Sequence, residues 1–170
     1  MMDSRSLTTR RFLVLSALLC ALSPALRAIN RGGAAPSFNA KTLDGERITN
    51  DTVKGKVVLI QFWTTWCRYC RRDQPSVDEF AGKYADKGLV VIAVNVGESR
   101  KKVRDYLSTS PREAKVVLME DTNLGAVFNA RGFPYYIAID AKGRVAGVQA
   151  GSGGREMLRE LIGRAGLRVG

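Results

Sequence analysis

The chain has 170 residues, 45% of them hydrophobic and 25% charged, which suits one soluble compact domain with an adequate core and a short appendage. Lys and Arg outnumber Asp and Glu by 27 to 16, for a net charge of +11. The excess is scattered among helices and loops instead of being clustered with aromatics, so it reads as solubility and weak attraction to anionic surfaces and excludes a nucleic-acid-binding reading.

Residues 1–28 differ from the rest. "MMDSRSLTTRR" is polar and basic, Phe12 to Leu22 is an apolar run with Ser16 as its one polar residue, and a breaker leads to a small residue at Ala28. This is the pattern of a secretory signal peptide. The run falls short of the roughly 20 apolar residues that span a bilayer; a short uncleaved anchor over residues 12–24 is the alternative. Cleavage after residue 28 removes Cys20, four arginines and one aspartate, and leaves a charge of +8, two cysteines and no histidine. Export places those cysteines in a periplasmic or other extracytoplasmic compartment, where disulfides persist.

Residues 29–36 ("INRGGAAP") read as a linker, and 37–170 as the domain. Asp44-Gly45 lies between short extended pieces and predicts a hairpin. Lys56 to Trp63 is an apolar run typical of a strand buried on both faces. A helix follows from Cys67 to Tyr84, with Val77, Phe80, Ala81 and Tyr84 on one side and Pro75 inside it. Leu89 to Val96 is a second buried strand. Ser99 caps the next helix, with Val103, Tyr106 and Leu107 as its apolar stripe. "KVVLM" is a third strand, and Asp121 or Thr122 starts a short helix through Phe128. Pro134–Asp140 and Arg144–Ala150 flank "AKG" and should pair antiparallel. A last helix covers roughly Arg155 to Ala165. This order predicts an α/β fold with a mixed sheet covered by helices.

Cys67 and Cys70 are separated by two residues. Structural zinc needs four Cys or His ligands, which the exported chain lacks. Copper(I) on two thiolates is chemically allowed, although no third soft ligand declares itself. As a brace, so short a loop removes little chain entropy. Redox chemistry needs two bridgeable sulfurs, one exposed and one shielded, and the spacing supplies them. Cys67 at a helix N-terminus has its thiolate stabilised by free N–H groups and the macrodipole. Cys70, one turn deeper, is the resolving thiol.

"FWTTWCRYC" resembles the thioredoxin-superfamily motif F-W-x-x-W-C-x-x-C, and "RGFPYYIAID" its second hallmark, an x-Pro step opening a distant strand. "APSFNAKTLDGERI…VKGKVVLIQFWTTWC", "AVNVGES" and "IDAKGRV" look like the exported thiol–disulfide reductases of the TlpA/ResA type. The resemblance runs from about Ala34 to the C-terminus. It implies a thioredoxin-like fold with an N-terminal hairpin extension and a central helix–strand insertion, and no cofactor beyond a redox-active Cys67–Cys70 disulfide. It implies catalytic roles for Cys67 and Cys70, and a cis-proline at Pro134 whose neighbour Phe133 contacts substrate chains. Read from the residues alone, Pro134 simply opens an edge strand. Trp63 and Trp66 match the tryptophans flanking the site, with core packing as the plain alternative for Trp63. Implied partners are cysteine-containing exported proteins, such as apocytochrome c or oxidase copper-site proteins, and a membrane electron donor.

The chain also departs from the pattern. Gln61 stands where thioredoxin has a buried aspartate and cannot titrate. Asp73 matches an acid, usually glutamate, three places after the second cysteine; it is a proton acceptor or a solvated first-turn acid. Glu98 is a site acid in proton transfer or serves the start of the next helix. Tyr69 replaces the common proline of the gap and is a contact surface or filler. Arg68, with Arg71 and Arg72, surrounds Cys67 with positive charge, which favours the thiolate and predicts a less reducing couple than thioredoxin's. The basic gap thus favours an oxidase or isomerase, whereas the family resemblance favours a reductase; a Cu(I) metallochaperone is a third reading.

Overall fold

The computed structural model describes residues 31–170. Residues 1–28, read from the sequence as a signal peptide or short anchor, and Cys20 among them lie outside the described residues. In chain order the elements are β1 (Asn39–Thr42), β2 (Arg47–Thr49), β3 (Val57–Trp63), α1 (Arg68–Lys83), β4 (Leu89–Asn95), α2 (Arg100–Thr109), β5 (Lys115–Thr122), α3 (Leu124–Phe128), β6 (Tyr135–Ile139), β7 (Val145–Ala150) and α4 (Gly154–Arg164). The strands form one seven-stranded sheet in the order β2-β1-β5-β4-β3-β6-β7. β3, β4 and β5 run parallel, joined by crossovers through α1 and α2, and the remaining pairs are antiparallel.

Every residue of β3 and β4 is buried, as their largely apolar sequences require, with Gln61 and Asn95 as the polar exceptions. Alternation then sends neighbours to opposite faces. Leu59, Trp63, Val91 and Ala93 join a core built with Val77 and Phe80 of α1, Val103 of α2 and Leu158, Leu161 and Ile162 of α4. Val58, Ile60, Phe62, Ile92 and Val94 face a second core closed by Leu124 and Phe128 of α3 and by Phe38, Ile48 and Val53 from the N-terminal extension. The mixed sheet flanked by helices, the N-terminal hairpin and the central helix–strand insertion are all present. Gly45, at φ 91°, makes the hairpin turn in a backbone region that favours glycine. α1 runs continuously through Pro75.

Two expectations are corrected. β5 extends to Thr122, so Asp121 and Thr122 are strand residues and α3 begins at Leu124. The cause is β1: its pairing reaches Ala40 opposite Thr122, and the Thr122 hydroxyl donates to the Asn39 carbonyl at 2.6 Å while accepting from the Leu124 amide at 3.1 Å. The presumed linker is also integral to the domain from Gly32 to Ala35. The amides of Gly32 and Ala35 donate to the Val145 and Gly143 carbonyls, and the Val145 amide donates to the Gly33 carbonyl. This small-residue stretch bridges to Arg144 and covers part of the outer edge of β7, an edge otherwise open to pairing.

Candidate active site

β3 delivers its C-terminal end to the loop Thr64–Trp66, and Cys67 caps α1 in extended conformation. This is the strand-end position at which open α/β sheets gather their ligands. Cys67 and Cys70 form a disulfide with Cα atoms 5.2 Å apart. The Cys70 amide donates to the Cys67 sulfur at 3.1 Å, so the sulfur occupies the place of an N-cap oxygen. An N–H aimed at that sulfur, together with the positive end of α1, favours a thiolate on Cys67 after reduction.

The expected contrast between an exposed and a shielded sulfur is smaller than the spacing suggests. Cys67 is 5% exposed and Cys70 2%. Both belong to the core under α1, and Phe133 packs against that same core. Exposed side chains border the pair as a rim. Trp66, 63% exposed, and Tyr69, 54% exposed, form that rim with Arg68 and Phe133. The Trp66 and Phe133 rings meet edge to face, with centroids 6.3 Å apart.

The Phe133–Pro134 peptide is cis. Pro134 is buried, and the strand it leads, β6, is paired on both sides, by β3 and β7, so the edge-strand reading of this proline does not hold. Trp63 is a core residue, 5.6 Å from the Tyr106 ring and with the Arg112 guanidinium 4.9 Å from its own ring centroid.

Asp73 is not a solvated first-turn acid. It lies in the second turn of α1, on the inward side with Cys70, and is wholly buried. The Tyr136 hydroxyl donates to it at 2.9 Å and the Ser152 hydroxyl donates to its other oxygen. Behind Tyr136 the bonds continue: Gln61 Nε2 donates to the Tyr136 oxygen at 3.0 Å, and Arg112 Nη2 donates to Gln61 Oε1 at 2.8 Å. Gln61 and Tyr136 meet because the β3–β6 register sets them directly opposite. Burial, and then the Asp73 charge beside it, pushes the Tyr136 phenol well above its ordinary pKa, which keeps it protonated and donating. Arg112, buried against Asp78, is pulled below its usual value by burial, with Asp78 opposing.

Glu98, just past the end of β4, is enclosed by hydrogen-bond donors from three residues. Its buried carboxylate accepts from the Thr65 amide and hydroxyl, each at 2.6 Å, from Asn95 Nδ2 at 2.8 Å and from Lys102 Nζ at 2.7 Å. Burial opposes its ionisation, but the bonds from Asn95, Lys102 and Thr65 outweigh it and lower the pKa to about 2. A carboxylate held by four donors suits an anchor for the loop two residues before Cys67. β3 and β4 end in register, Trp63 opposite Asn95, which brings the two loops together.

Thr65, Arg112, Tyr136 and Ser152 were not legible as site residues. Gln61, a lone polar residue inside a fully buried strand, was the one available signal that a polar partner must lie across the core. Among the described residues no group of three or more His, Cys, Asp or Glu side chains gathers as a metal site, and no helix is long and apolar enough to cross a membrane.

The Redoxin family model matches residues 30–161. The chain is 35% identical over 127 residues to the thioredoxin-like protein YneN of Bacillus subtilis, covering 73% of this chain and 74% of that protein. It is 28% identical over 157 residues to the thiol-disulfide oxidoreductase ResA of the same organism, covering 88% of each. Among solved structures, a thiol:disulfide interchange protein of the thioredoxin family from Chlorobium tepidum superposes with a TM-score of 0.71 at 28% identity, over 80% of this chain and 97% of that one. The residues matched by the family model span the sheet, the disulfide loop and the cis-proline strand together. The chain belongs to the Redoxin family and is a TlpA/ResA-like thiol–disulfide oxidoreductase of the thioredoxin superfamily.

Proposed function

We propose that the protein is exported by residues 1–28, released or tethered through residues 12–24, and reduces disulfides of other extracytoplasmic proteins. The Cys67 thiolate attacks one sulfur of a substrate disulfide and expels the other as a thiolate, which takes up a proton. Cys70, deprotonated, then attacks the Cys67 sulfur, frees the second substrate thiol and leaves the Cys67–Cys70 disulfide, so two electrons pass to the substrate. A membrane electron donor restores the dithiol. Asp73, on the inward side of α1 with Cys70, accepts the Cys70 proton, and Trp66, Arg68, Tyr69, Phe133 and Pro134 hold the substrate chain. Apocytochrome c and copper-site proteins of an oxidase are the substrates that the TlpA/ResA resemblance suggests.

The observation that carries this reading is the Cys67 sulfur at the N-cap of α1 with the Cys70 amide bonded to it. Replacing Cys70 by serine removes the resolving step, and covalent mixed disulfides through Cys67 are expected to accumulate with substrate proteins. A copper carrier with the same change would lose metal and trap nothing.

One observation favours the opposite direction, as an oxidase or isomerase: Arg68 and Arg71 are exposed beside Cys67, and cations there stabilise the thiolate and hence the reduced form. The equilibrium potential against glutathione decides. A value near about −270 mV supports the reductase, and one near about −120 mV supports disulfide formation.

A further inference from the structure

The rim around the disulfide breaks two local rules at once. Trp66 and Tyr69 are the large hydrophobic side chains that stand exposed among the described residues, and both border the cysteine pair. α1 also opens with arginines at Arg68, Arg71 and Arg72 and has no acid in its first turn, although the helix dipole disfavours cations there. Such conflicts between local preference and observed sequence mark functional surfaces more often than stability devices.

The arginines divide into two sets. Arg72 is engaged within the domain: it donates to Ser152 at 2.9 Å, lies 3.9 Å from Asp73 and sits 5.3 Å from the centre of the Tyr69 ring, which it supports. Arg68 and Arg71 are exposed and form no ion pair among the described residues; the same holds for Arg131, two residues before Phe133. The acids three places after Cys70 and beside the Thr65 loop are already committed, Asp73 to Tyr136 and Ser152, and Glu98 to the loop and Lys102. Two aromatic platforms flanked by unpaired guanidinium groups match the composition of contact hot spots, where Trp, Tyr and Arg dominate.

We propose that this rim is a docking surface for a cysteine-bearing polypeptide segment whose residues next to the cysteine are acidic. The inference rests on the oxidoreductase reading and adds the substrate class to it. Trp66, Tyr69 and Phe133 take the apolar part of the segment. Arg68, Arg71 and Arg131 supply the counter-charges for Asp or Glu beside the reacting sulfur, so selection acts through complementary potential.

The test uses the reduced full-length protein in single turnover against three synthetic peptides. They share one intramolecular disulfide and differ only in carrying Glu, Ser or Lys beside the cysteines. Each second-order rate is divided by that of dithiothreitol on the same peptide, which removes the intrinsic reactivity of the peptide. At low salt the Glu peptide is expected to react about tenfold faster than the Ser peptide, the low end of electrostatic enhancement, and the Lys peptide slower than both. The Glu-to-Lys ratio should fall towards one near 1 M salt, where the screening length is about 3 Å. In an Arg68→Glu/Arg71→Glu variant the ratio should invert. Because both peptides meet the same Cys67, any change in thiolate reactivity cancels in the ratio, and acids at a helix N-terminus favour its folding.

A ratio of one at low salt, with the Ser peptide still reduced, overturns the proposal and leaves the oxidoreductase reading intact. Failure to reduce any of the three peptides overturns both. A ratio of one combined with binding to phosphatidylglycerol vesicles that the double variant loses also overturns it, and assigns the arginines to a membrane surface.

Discussion

Replacing Arg112 by methionine is expected to lower the free energy of unfolding by about 3–5 kcal/mol, the range for removing one partner of a buried ion pair. The guanidinium is almost wholly buried, 3.3 Å from Asp78 and 2.8 Å from Gln61, and covers one face of Trp63. Methionine keeps part of the volume over Trp63 but leaves Gln61 Oε1 without its donor and Asp78 with only the Ala114 amide, at 3.3 Å. Urea unfolding at pH 7 checks this. A loss below about 1 kcal/mol would mean that desolvation of the guanidinium already cancels its attractions. A second variant, Arg112→Met with Asp78→Leu, separates the terms. It removes the stranded carboxylate as well and should recover part of the loss, as exchange of a whole buried pair for apolar groups often does.

Arg112 also shows where the sequence stops being informative. Arginine in "SPREAK", between a helix and a strand, has the local signature of a solvated charge. Its insertion follows from packing across 51 positions of sequence to Gln61, and no local pattern carries that. Asp73 fails for a related reason. The i+3 spacing from Cys70 correctly gave a shared helix face, but the partners that make burial tolerable, Tyr136 and Ser152, arrive from the far end of the chain. By contrast β3, β4 and the disulfide loop were readable. Continuous apolar runs specify doubly buried strands, and a cysteine pair directly after one has a single place to go, the first turn of the next helix. The Gly-rich stretch at 32–35 misled because glycine and alanine suit a free linker and an edge-covering strand equally well, and the deciding partner is the hairpin at Gly143–Val145. Motifs fixed by neighbours in sequence were legible; polar contacts fixed by neighbours in space were not.

Glu98→Gln is expected to cost about 3 kcal/mol at neutral pH and to flatten the acid limb of the stability curve. The folded carboxyl titrates at about 2 against an ordinary value of 4.5. At about 1.4 kcal/mol per pKa unit, that depression is worth roughly 3 kcal/mol. Because the folded pKa lies below the unfolded one, the contribution is fully present above about 4.5 and is lost as pH falls through about 2. Unfolding free energies of the native chain and the variant, measured from pH 7 to 2, should therefore converge as acid is added; parallel curves would refute the assignment. Glutamine is close in shape, but its amide turns an N–H towards donors that faced a carboxylate, so the Thr65 loop slackens and Cys67 loses its fixed place at the head of α1. Disulfide exchange should slow accordingly, and the shape of its pH profile tells the two candidate roles apart. An anchor lowers the rate at every pH from 5 to 8 by the same factor, because Glu98 remains ionised throughout. A proton-transfer group would change the profile's inflections. The four donors around this carboxylate favour the uniform drop.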